Sequence, residues 1–137
     1  KLDPYMQPLY DALRDMIAPE KLAHYIENGT IQIAPLAFMR GRTLDNAFVI
    51  LDEAQNTTHA QMKMFLTRMG KNAKFLLTGD PGQIDLPRRM ISGLKESLLI
   101  LKNTKGIEII YLDDKDVIRH PLVKKIIDAY KTIEHDN

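Results

Sequence analysis

The chain has 137 residues, with 45% hydrophobic and 27% charged residues, the balance of a folded globular chain rather than a disordered one. Nineteen Lys and Arg against 18 Asp and Glu leave a net charge of +1. Neither a polybasic arm nor an acidic tail is present, so any contact with nucleic acid must come from a local cluster. With no cysteine, disulfides, thiolate metal sites and cysteine nucleophiles are excluded. No apolar run approaches the roughly 18 residues of a membrane span, and the polar start KLDPYMQPLYD is no signal peptide. The expected location is the cytoplasm. Because the first residue is Lys1 rather than Met, the chain reads as a piece of something longer.

In chain order, Tyr5, Leu9, Leu13 and Met16/Ile17 recur at helical spacing and predict a helix over residues 4–18. Pro19 suits the first turn of a second helix, 20–28, closed by Gly29. The run TIQIA, 30–34, predicts a short strand stopped by Pro35, and a loop containing LAFMRGRTLDN follows. AFVILDE, 47–53, reads as a buried parallel strand. Thr58 with Gln61 three residues on predicts a capping box opening a helix whose apolar face is Met62, Phe65, Leu66 and Met69. KFLLTG, 74–79, is the next predicted strand, and GDPGQIDLPRR is too rich in Gly and Pro for regular structure. Ile91, Leu94, Leu98 and Leu101 mark a helix, IEIIYL (107–112) a further strand, and Pro121 the start of a last helix to about Glu134. Helices alternating with apolar strands predict an α/β fold, a parallel sheet with helices on both faces. Ligands of such sheets bind beyond the carboxyl ends of the strands.

Asp52-Glu53 closes an apolar strand in FVILDEAQNT, an arrangement that resembles a Walker B motif. A rigid strand fixes the first carboxylate where it helps hold Mg²⁺, usually through water, because Mg²⁺ takes oxygen ligands and keeps several waters. The second, Glu53, would polarise the attacking water as general base. Asp80 ends the next strand in FLLTGDPGQID. Gly79 lets the backbone approach a phosphate, and Gln83 carries a neutral amide able to hydrogen-bond a γ-phosphate or its attacking water.

Together the two strings resemble the DExQ and GDxxQ motifs of superfamily 1 helicases. The runs APLAFMRGRTLDNAFVILDEAQNTT, QMKMFLTRMG, TGDPGQIDLP, SGL and KDVIRHPLVKKII extend the match, and nearly the whole chain resembles a PhoH-like protein. The resemblance implies a RecA-like P-loop NTPase core that binds ATP and Mg²⁺ and hydrolyses ATP, coupled to RNA remodelling. It gives Glu53, Gln83 and Arg119 as catalytic, Asp52, Gln55, Gly79 and Asp80 as nucleotide-binding, and Asp52 as the Mg²⁺ residue. Arg119 would act as a sensor or arginine finger, which suits a homo-oligomer with sites between subunits. Arg40, Arg42 and Thr43, in MRGRT, and Arg88, after DLP, are candidate contacts for a nucleic-acid backbone or a neighbouring phosphate.

One element of the family pattern is missing. No GxxxxGK[ST] occurs in the 137 residues, and the single GK pair, Gly70-Lys71, is followed by Asn72. In the family this loop lies N-terminal to the matched region. Residues 1–137 are therefore expected to be the C-terminal portion of one domain, inactive by themselves. The alternative is a non-catalytic binding or assembly module. A dinucleotide-binding oxidoreductase is disfavoured because no GxGxxG follows a strand. Four scattered His without HxxxH-type spacing make a structural zinc site improbable. His120 reads best as a cap of the last helix. A sheet lacking its first strand and helix is expected to expose an apolar edge and to associate.

Overall fold

In a computed structural model, residues 4–134 are described. They fall into two units, one ending at Ile100 and one beginning at Leu101.

The first unit opens with α1 (Gln7–Met16) and α2 (Pro19–Glu27). Each has a proline within its first two positions, where the missing N–H costs nothing. α1 is shorter than the periodicity predicts, residues 4–6 forming a turn. The run 30–34 is not a strand. It is tied back to the end of α2, through Thr30 N–H to Asn28 Oδ1 at 3.0 Å and Ile31 N–H to the Tyr25 carbonyl at 3.0 Å. With the amides of Thr30 and Ile31 held there, the run joins no ladder among the described residues. A 3₁₀ turn at Leu36–Met39 follows inside the predicted loop.

The sheet consists of β1 (Phe48–Leu51) and β2 (Lys74–Leu77), paired in parallel with Val49 opposite Phe75 and Leu51 opposite Leu77. Both strands lie within their predicted runs. Burial alternates instead of being continuous: Phe48, Ile50 and Leu76 are exposed, whereas Val49, Leu51, Phe75 and Leu77 are half-buried. Period-2 geometry sends these two sets to opposite faces. α3 (His59–Leu66) meets the second set at Phe75. Phe65, 2% exposed, meets the Phe75 ring with centroids 5.0 Å apart.

The capping box is present. Thr58 Oγ1 accepts from Gln61 N–H, and the Gln61 side chain accepts from Thr58 N–H. α3 stops before Met69 because the Thr67 hydroxyl donates to the carbonyls of Lys63 and Met64 and Met69 leaves to bridge Leu44 in parallel. α4 (Gly93–Ile100) packs against α3. The close approach requires Gly93, since a Cβ there would lie 2.6 Å from the Thr58 carbonyl and 2.8 Å from Met62 Cβ. This unit is a mixed α/β structure, a parallel sheet flanked by helices, consistent with part of a RecA-like core.

The second unit contains α5 (Pro121–Glu134), which spans the predicted helix. The His120 ring accepts from Leu122 N–H at 3.1 Å, the expected cap. Residues 107–112 form no strand, and Ile110, Tyr111 and Leu112 are exposed. An apolar β-branched run becomes a strand only where a neighbour supplies ladder donors and acceptors. Among the described residues none does so here.

Candidate functional site

The carboxyl ends of β1 and β2 lie side by side, and their pairing continues one residue beyond the strands. Thr78 N–H donates to the Leu51 carbonyl at 3.0 Å, and Ala54 N–H to the Thr78 carbonyl at 2.9 Å. This brings Asp52 next to Thr78, whose hydroxyl donates to Asp52 Oδ1 at 2.8 Å. The bond fixes one carboxylate oxygen, and Oδ2 has no hydrogen bond among the described residues. Carboxylate and hydroxyl are hard oxygen donors, the type Mg²⁺ takes, so this pair fits such an ion.

At Glu53 the chain turns into a 3₁₀ turn, Ala54–Asn56. Its backbone is left-handed, φ 54°, a conformation that costs a non-glycine residue about 1–3 kcal/mol. The neighbours hold it there. Gln55, 1% exposed, donates its amide to Glu53 Oε2 at 2.6 Å. Its carbonyl oxygen accepts from Asp80 N–H at 3.2 Å, and its NH₂ also reaches the Gln83 carbonyl at 3.5 Å. The buried amide therefore joins the β1 exit to the β2 exit. Gly79 is needed for this: a Cβ there would lie 2.6 Å from Gln55 Oε1 and 2.9 Å from Leu94 Cδ2.

Beyond Gly79, Asp80 organises the GDPGQ loop. Its Oδ1 accepts from Gly82 N–H at 2.8 Å and its Oδ2 from the Gln83 amide at 2.9 Å. Asn56 Oδ1 accepts from Asp85 N–H at 2.8 Å and ties the same loop to the 3₁₀ turn. Underneath, Ser92 Oγ donates to the Gln55 carbonyl at 2.7 Å and Thr57 Oγ1 to the Ala54 carbonyl at 2.7 Å. Ala54, Gln55, Thr57 and Ser92 are all buried. The result is a rigid polar floor carrying exposed carboxylates at Asp52, Glu53 and Asp80.

Five predicted residues thus join one hydrogen-bonded network: Glu53, Gln55, Gly79 through its close approach, Asp80 and Gln83. Asp52 flanks it through Thr78. The predicted arginines are not bonded into it. Arg42 reaches Gln32 Oε1 at 3.5 Å, Arg40 lines a depression on α3, and Thr43 and Arg88 are exposed. Arg119 is exposed in the second unit, just before α5. Thr78, Asn56, Thr57 and Ser92 are site residues that the sequence reading did not single out. For Thr78 a signal existed: it follows β2 as Asp52 follows β1, so parallel pairing in register places them together.

Fold and site define an α/β protein with a carboxylate pair at one strand end and a GDxxQ turn at the next. The PhoH-like protein family model matches residues 1–131, and the chain belongs to that family. It is 60% identical over 130 residues to a PhoH-like protein of Bacillus subtilis, covering 95% of this chain and 41% of that protein. It is 55% identical over 135 residues to a PhoH-like protein of Synechocystis, covering 98% of the chain and 41% of the relative. Against Protein PhoH of Escherichia coli K12 it is 43% identical over 132 residues, covering 95% and 37%. The chain thus spans about two-fifths of the length of these relatives.

Proposed function

We propose that the chain supplies the metal-positioning and water-activating side of an ATP site, as the C-terminal portion of one PhoH-like P-loop domain. The observation that carries this reading is the network Glu53–Gln55–Asp80–Gln83 beside the Asp52–Thr78 pair, at the carboxyl ends of two parallel strands. Asp52 holds Mg²⁺ through water, its free oxygen directed by the Thr78 hydroxyl bond. The ion supplies charge neutralisation on the phosphates. Glu53, aimed by Gln55, takes a proton from the attacking water, and Gln83, held by Asp80, orients that water or the γ-phosphate. ATP and water give ADP and phosphate. Gln55 acts through Glu53 and Asp80, because its buried amide is bonded to protein groups. Arg119 balances transition-state charge, most simply from a neighbouring subunit of a homo-oligomer. Turnover serves RNA rearrangement in the cytoplasm, with Arg40, Arg42, Thr43 and Arg88 toward a phosphate backbone.

A phosphate-cradling loop with Lys and Ser/Thr completes such a site, and no such motif stands in these 137 residues. The second reading is a module that binds or assembles without catalysis. The test is a titration with a fluorescent ATP analogue, with and without Mg²⁺, of this chain and of a form extended upstream. The proposal expects Mg²⁺-dependent binding in the extended form and little in this chain. Absence of binding in both leaves the assembly module.

A further inference from the structure

A basic depression lies along α3. The exposed face of the helix and the residue after the 3₁₀ turn Leu36–Met39 border this wide-open, shallow depression, lined by Arg40, His59, Lys63, Met64, Thr67 and Arg68. Three of these side chains carry a fixed positive charge, and no carboxylate lines the depression. His59, which lines the depression, pairs with Glu96; elsewhere Arg14 pairs with Asp11 and Lys131 with Asp128, and most other Lys and Arg among the described residues have no carboxylate partner. Arg40, Lys63 and Arg68 have no carboxylate partner among the described residues.

Arg68 is the most constrained of the three. Its backbone carbonyl accepts from Leu44 N–H at 2.8 Å, which fastens the end of α3 to the segment following Arg40. Its Nη2 donates to Thr67 Oγ1 at 3.2 Å. Its Nε is buried and has no hydrogen-bond partner among the described residues. Oxyanions with several acceptor oxygens are the chemistry that Arg forks and a Lys point charge recognise.

We propose that this depression is a phosphate-binding site formed by Arg40, Lys63 and Arg68, for the phosphates of a nucleic-acid backbone or of a free polyphosphate. The proposal takes the reading of Arg40 as a phosphate contact and extends it to two residues of another element. It does not depend on ATP hydrolysis. Arg42, bonded to Gln32, lies outside the site.

The test uses the full chain and a fluorescein-labelled single-stranded deoxythymidine 20-mer, with affinity measured against salt and with inorganic triphosphate as competitor. Each cation that neutralises a phosphate of a single strand contributes about −0.7 to the slope of log affinity against log salt. The expected slope is near −2. Arg40→Gln, Lys63→Gln and Arg68→Gln should each reduce its magnitude by about 0.7, and the triple variant should lose at least tenfold in affinity. Competition by triphosphate assigns a compact polyphosphate, and its absence an extended backbone; both support the site. The double variant R40Q/K63Q leaves half-buried Arg68 in place and guards against misfolding. Lys102→Gln/Lys105→Gln, on the second unit, controls for bulk charge. Unchanged affinity and slope in both the double and triple variants overturn the proposal, as does failure of the wild-type chain to bind either probe.

Discussion

Gln55 and Glu53 are joined by a 2.6 Å hydrogen bond from a buried amide to an exposed carboxylate. Two residues apart in sequence, they meet because Glu53 takes a left-handed backbone, φ 54°, and Ala54–Asn56 form a 3₁₀ turn. The same amide accepts from Asp80 N–H. One side chain therefore sets the geometry of both strand exits.

Gln55→Ala should be strongly destabilising. It leaves Asp80 N–H without its acceptor and opens a void beneath Glu53, so a loss of about 1–3 kcal/mol is expected. Urea unfolding followed by circular dichroism reads this directly. A midpoint equal to wild type would show that the network contributes nothing to the fold.

Gly93→Ala tests the packing of α4 on α3. The new Cβ would meet the Thr58 carbonyl at 2.6 Å, a backbone atom that has little room to yield. Overpacking of this kind costs typically about 1–3 kcal/mol. Gly41→Ala is a poor control because its φ is +76°; an exposed Lys63→Ala is better, and should leave the urea midpoint nearly unchanged.

Removal of the Thr58 cap is a smaller perturbation. Thr58→Ala deletes the acceptor for Gln61 N–H and should cost about 1 kcal/mol. Thr58→Ser keeps the hydroxyl and should recover most of it. Equal midpoints for the Ala and Ser variants would contradict the assignment of the capping box.

Thr78→Val preserves side-chain shape and removes the donor to Asp52 Oδ1. In a form that turns over ATP, the expected result is a several-fold higher Mg²⁺ requirement with nucleotide affinity little altered. Thr78→Ser should restore the wild-type Mg²⁺ response. Identical Mg²⁺ titrations for wild type and Thr78→Val would separate this hydroxyl from the metal site.

Much of this architecture was readable from residue order. The apolar runs containing Phe48–Leu51 and Lys74–Leu77 became the parallel pair, and Thr58 with Gln61 became the capping box. Runs 30–34 and 107–112 misled because strand propensity measures fit to a pleated surface, not the presence of a partner. The first ties its first two amides, Thr30 and Ile31, to the end of α2, and the second has no ladder neighbour among the described residues. The alternate exposure of Phe48, Ile50 and Leu76 was equally hidden, since a continuous apolar run does not say how many faces are covered. The carboxylates were visible as residue types at strand ends. The left-handed Glu53 and the burial of Gln55 were not, because both follow from the turn that joins β1 to α3 rather than from local composition.

The central claim is that Glu53 is the general base of an ATP site built on these two strand ends. Its most direct test compares wild type with Glu53→Gln in the upstream-extended form, measuring nucleotide binding and single-turnover hydrolysis in the same samples with Mg²⁺. The account predicts that the variant binds ATP within about threefold of wild type while hydrolysis falls by about 10²-fold or more. Hydrolysis at the wild-type rate in Glu53→Gln, with binding intact, would contradict it.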